Sequence, residues 1–144
     1  MDVSRPIQVG RIDELKIVHN VRLIHKFDMN PIYSKENLKV QFTVTGELKG
    51  SITCYLCLDG MDLNITDRNY IFPMFVESMN ILIGRQISLD DELSNFRIKL
   101  SPPKISMNSS ELNTGLRKMT QKYDLELDAR SFCILTEYSL EALN

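Results

Sequence analysis

Leu38-Lys39-Val40-Gln41-Phe42-Thr43-Val44-Thr45, then Gly46-Glu47-Leu48-Lys49-Gly50, then Ser51-Ile52-Thr53-Cys54-Tyr55-Leu56-Cys57-Leu58, is the stretch that decides the fold. Leu38, Val40, Phe42 and Val44 alternate with polar residues, and Ile52, Cys54, Leu56 and Leu58 do so again after the glycine-bracketed interval. Successive strand side chains point to opposite faces, so the pattern predicts a β-hairpin with one buried face. Asp59-Gly60 ends it.

After a polar connection the apolar period changes. Phe72, Val76, Met79 and Ile83 recur at helical spacing over about residues 70–88, with Pro73 suited to the first turn, where its missing N–H costs little. Beyond it, Phe96, Ile98 and Leu100 predict a short strand ended by Ser101-Pro102-Pro103. Residues 106–121 are polar and read as a long loop or partial helix. Tyr123, Leu125 and Leu127 predict one strand, and Phe132, Ile134, Thr136 and Tyr138 another, with a turn at Asp128-Ala129-Arg130-Ser131. Upstream, Leu15, Ile17, Val21, Leu23 and Phe27 fit a strand period while Ile17, Val21 and Ile24 also fit a helix; frequent β-branched residues favour strand. Residues 30–36 read as a loop. The expected architecture is α+β: a mostly antiparallel sheet packed against a main helix, in one domain over residues 1–144, with residues 1–10 a loose lead.

The 144 residues carry a net charge of −2 with 43% hydrophobic and 25% charged residues, an ordinary globular composition. Without a basic excess, nucleic acid is not an expected partner. No segment reaches the ~20 apolar residues of a membrane span, and the first residues lack an apolar signal core, so the expected location is the cytoplasm. Cys54 and Cys57 form a C-x-x-C, but residues three apart on a strand face opposite ways and cannot jointly grip a metal. No metal site is expected. His19 and His25 have no assignable nucleophile or carboxylate partner, and Ser109-Ser110 lack the glycines of a nucleophile elbow.

On the predicted helix Glu77 and Asn80 are surface neighbours, with Gly84 one turn beyond Asn80, on a side about 120° from the apolar stripe. Met74 and Ile81 flank them as a small apolar patch suited to docking another protein, or to burial in a dimer interface or under a loop. A carboxamide can aim a water in line at a phosphoryl group, and a neighbouring carboxylate can pair with a partner's lysine. The bland alternative for both residues is a solvated helix face.

Glu77-Ser78-Met79-Asn80-Ile81-Leu82-Ile83-Gly84 resembles the E-x-x-N…G helix of the CheC/CheX family of chemotaxis phosphatases. The Gly46…Gly50 hairpin, Pro102-Pro103 and the paired C-terminal strands are similar to the family's surroundings of that helix, so the likeness spans roughly residues 38–140. It implies a CheX-type phosphatase acting on the aspartyl phosphate of a CheY-like response regulator, and a homodimer. Asn80 would position the attacking water, Glu77 would contact the regulator's active-site lysine, and Met74, Ile81 and Gly84 would meet the partner. The protein would need no cofactor of its own, the Mg2+ being carried by the phosphorylated partner. The competing expectations are a non-catalytic binding module on the same fold and a purely structural dimerisation domain.

Overall fold

A computed structural model describes residues 4–28, 32, 34–108 and 119–143. Its strands are β1 (Ser4–Pro6), β2 (Glu14–Val18), β3 (Val21–Lys26), β4 (Asn37–Gly46), β5 (Leu48–Cys57), β6 (Ile98–Leu100), β7 (Lys104–Asn108), β8 (Met119–Leu127) and β9 (Arg130–Leu143). The helix α1 runs Ile65–Leu89 and is followed by a single 3-10 turn at Leu93–Asn95. The nine strands found among the described residues join one sheet in the order β2-β3-β8-β9-β5-β4-β6, with β1 beside β9 and β7 beside β4. Every pairing is antiparallel.

The expected fold class, an α+β sheet packed against a main helix, is thereby corrected. The molecule is a large nine-stranded sheet that carries the one α-helix found among the described residues. Three segments add strands to the sheet, one of them as expected. Residues 4–6, read as part of a loose lead, pair with the end of β9, and Ile7 and Val9 behind them are buried. Residues 14–26, where the frequent β-branched residues favoured strand, form a hairpin whose tight turn places Asn20 at φ 63°, a left-handed conformation that asparagine tolerates better than most residues. Residues 104–108, assigned in part to a loop, become β7 along β4. The rest of that polar stretch, residues 109–118, lies outside the described residues.

The central hairpin forms as its alternation requires. Leu38, Val40, Phe42 and Val44 of β4 pair with Leu56, Cys54, Ile52 and Gly50 of β5, and the apolar members are buried in one core. Gly50 is demanded by geometry: its φ is +145°, and an added Cβ would sit 1.8 Å from the Ser139 carbonyl oxygen of β9. The core continues through Tyr123, Leu125 and Leu127 of β8 and Phe132, Ile134 and Tyr138 of β9. Each apolar side chain fully removed from water contributes about 1.5–3 kcal/mol.

Gly50→Ala is expected to destabilise the protein by about 3 kcal/mol or more, because backbone strain and a clash with main chain add. Gly60→Ala, at φ +74° but with nothing within 4 Å of the new methyl, should cost only about 1–2 kcal/mol. Urea denaturation of the two variants beside wild type measures the difference; equal losses would contradict the packing described at Gly50.

Candidate functional site

The helix begins at Ile65, earlier than its apolar period suggests, because Asn64 caps it: the Asn64 side-chain oxygen accepts from the Asp67 N–H at 2.8 Å. Pro73 therefore lies inside the helix rather than in its first turn. It is exposed, so water can serve the carbonyl that loses its N–H partner.

The buried stripe is Ile71, Phe75, Ser78, Met79, Leu82, Ile83 and Gln86. Of the four residues expected to face the sheet, Met79 and Ile83 do so, whereas Phe72 and Val76 are half-buried at the edge of the stripe. The helix is rotated relative to the expected face because two polar residues take core positions. Ser78 satisfies its hydroxyl on the Met74 carbonyl at 2.6 Å. Gln86 enters a hydrogen-bond network with the sheet. Its side-chain oxygen accepts from the Tyr138 hydroxyl at 2.6 Å, and its amide donates to the Gln121 side-chain oxygen at 3.3 Å and to the Gly10 carbonyl at 3.4 Å. Gln121 in turn accepts from the Tyr123 hydroxyl at 2.7 Å and donates to the Val9 carbonyl at 3.0 Å. Burial pushes the Tyr123 and Tyr138 hydroxyls above the usual phenol range, so both remain donors.

With that stripe inward, Glu77, Asn80 and Gly84 fall on the opposite side of the helix, further from the core than the expected 120°. All three are exposed. Among the described residues neither the Glu77 nor the Asn80 side chain makes a hydrogen bond or ion pair. A Cβ at Gly84 would meet nothing within 4 Å. A carboxylate and a carboxamide thus stand one turn apart with their hydrogen-bonding capacity uncommitted, beside an open stretch of backbone. Met74 and Ile81 flank them on one side, both half-buried, with Met74 packed against the core.

On the other flank lies a feature the sequence reading did not anticipate. Leu38, Phe72, Pro73, Val76, Glu77 and Ile105 line an open, apolar groove of about 380 Å³. It exists because Ile105 and Met107 of β7 pair with Val40 and Leu38 and share their face, yet α1 does not cover them. They stay 52% and 50% exposed. The alternation Lys104-Ile105-Ser106-Met107 was the available signal, obscured by the prolines before it and the polar run after it.

Other singled-out residues are elsewhere. His19 is exposed, and His25 stacks edge-on against Phe27 and Tyr123. Cys54 and Cys57 lie on opposite faces of the sheet, Cys54 in the main core and Cys57 beside Tyr55 and Leu135. Ser109 and Ser110 lie outside the described residues. Among the described residues no group of three or more His, Cys, Asp or Glu side chains is arranged to hold a metal ion, and no helix is long and apolar enough to cross a membrane.

No family model matches the chain, and no curated protein matches it. Among solved structures it is similar to a chain of the CheX–CheY–BeF3–Mg2+ complex from Borrelia burgdorferi, at 13% identity over 82% of this chain and 86% of that chain, with a TM-score of 0.41. A likeness at that level leaves family and activity unassigned.

Tyr138→Phe is expected to cost about 1–3 kcal/mol, since it strands the buried Gln86 oxygen without its closest donor. Urea unfolding measures it; an unchanged midpoint would mean that the network does not hold the helix.

Proposed function

We propose that this protein acts on a phosphorylated receiver domain of the CheY type, hydrolysing its aspartyl phosphate. Asn80 orients the attacking water through its carboxamide, and Glu77 pairs with a lysine beside the partner's phosphoryl group. The observation that carries the reading is the pair itself: Glu77 and Asn80 are both exposed, one turn apart, and uncommitted, with open space at Gly84. The chemistry asks little more of this chain. Phosphoryl transfer depends mainly on positioning and charge stabilisation, and neither group has to be a strong base. In this reading the magnesium ion belongs to the phosphorylated partner. The groove that Glu77 borders is open and apolar, which suits a macromolecular phosphoryl donor better than a small one.

The apolar groove beside Glu77 favours a second reading: a module that binds such a partner without turnover. The two readings diverge at Asn80. If the protein is a phosphatase, it accelerates phosphate loss from a phosphorylated receiver domain, and Asn80→Ala reduces that acceleration by about 100-fold or more. The exposed substitution should change stability by no more than about 0.5 kcal/mol. No acceleration by wild type across several receivers, with binding retained, would establish the module instead. Full activity in Asn80→Ala would overturn the assigned role.

Gly84→Ala separates docking from folding. Removing a glycine from an exposed helical position should stabilise the protein by about 1 kcal/mol, while the added methyl hinders the partner's approach and weakens binding several-fold. A calorimetric titration paired with a melt measures both; unchanged affinity would place the contact elsewhere.

A further inference from the structure

The face of the sheet turned away from α1 holds a pair of thiols that the candidate site does not use. β5 and β9 run antiparallel with Tyr55 opposite Leu135 and Leu56 opposite Ile134, so the next step of the ladder sets Cys57 opposite Cys133. The two thiols lie close enough to shift each other's ionisation. Both are half-buried, whereas the third cysteine, Cys54, is fully buried in the main core on the other face. Residues directly opposite in an antiparallel pair have Cα atoms about 4.5–5.5 Å apart. A disulfide spans about 4.4–6.8 Å between Cα atoms, so the ladder already holds the two residues at bridging distance.

We propose that Cys57 and Cys133 form a reversible cross-strand disulfide, a thiol–disulfide exchange site whose substrate class is small disulfides such as oxidised glutathione.

The surroundings divide the labour between the two sulfurs. The neighbouring Cys57 thiol holds the Cys133 thiol below its usual range, Lys122 assisting while burial and the carboxylates of Asp124 and Asp28 oppose. The same proximity, with burial, pushes the Cys57 thiol up. In the route through Cys133, that sulfur is the attacking thiolate and Cys57 the resolving thiol. The Cys133 sulfur attacks one sulfur of the small disulfide, whose S–S bond breaks and releases one thiol after protonation. Cys57 then gives its proton to solvent and attacks the Cys133 sulfur of the mixed disulfide, expelling the second small thiol. Two protein thiols are oxidised to one disulfide, and the small disulfide is reduced to two thiols. Tyr55, Leu135 and Ile32 pack around the site, and Cys54, behind the sheet, cannot reach it.

The test equilibrates the full chain with mixtures of oxidised and reduced glutathione, quenches with acid, alkylates the unfolded protein and maps the peptides. The expected product at the oxidising end has Cys57 linked to Cys133, only Cys54 alkylated, and all three thiols restored by dithiothreitol. Cys57→Ser and Cys133→Ser should each halt at a mixed disulfide with glutathione on the remaining cysteine. Three alkylated thiols at the oxidising end, separate glutathione adducts on Cys57 and Cys133 without a link, or a link involving Cys54 would each overturn the proposal.

Discussion

Gln86 is the residue through which α1 is oriented on the sheet. A helix buried by apolar contacts alone can rotate by a fraction of a turn at modest cost, because hydrophobic attraction has no direction. A buried amide has direction: its oxygen needs a donor and its nitrogen needs acceptors, and leaving either unpaired costs about 1–3 kcal/mol. Tyr138 of β9, Gln121 of β8 and the Gly10 carbonyl of the N-terminal segment meet those needs. Three parts of the chain distant in sequence are thereby held in one arrangement. Asp90 reinforces it just past the helix end, where one carboxylate oxygen accepts from the Gly10 N–H at 2.6 Å and the other from the N–H groups of Glu92 and Leu93.

The consequence for function lies on the opposite side of the helix. Once Gln86 and its stripe are inward, Glu77, Asn80 and Gly84 face solvent, and they do so from a regular helix rather than a loop. Side chains on such an element keep their mutual spacing without further support, which a water-positioning group requires. The groove bordered by Phe72, Val76 and Ile105 has the same origin. The rotation that buries Ile71 and Phe75 leaves Phe72 and Val76 at the margin, next to the uncovered face of β7. A polar pair with an apolar margin is the composition of a protein-contact surface.

Strong local patterns were legible in the sequence, and patterns completed by distant partners were not. The β4–β5 hairpin, β8 and β9 each alternate over long runs, and the structure pairs them as that alternation implies. Residues 4–6 carry no such signal; they are a strand because the end of β9 offers a free edge. The expected balance between sheet and helix failed for that reason, since β1 and β7 are short and their alternation is weak or interrupted. The stripe on α1 was centred too far toward Phe72 and Val76: Ser78 and Gln86 are core residues with satisfied hydrogen bonds. Glu77, Asn80 and Gly84 could be placed together from spacing alone, as neighbours on a helix always can. The Cys57–Cys133 pair could not, because it depends on the register between two strands more than seventy residues apart.

The proposed function requires the outer face of α1 to be a contact surface for a phosphorylated receiver domain. Amide chemical shifts of the isotopically labelled chain, followed while a CheY-type receiver activated with beryllofluoride and magnesium is added, test this most directly. Shifts concentrated at Glu77, Asn80, Ile81 and Gly84, with none on the sheet face around Tyr55 and Leu135, are the predicted result. A partner that binds and leaves the α1 signals unmoved would contradict it.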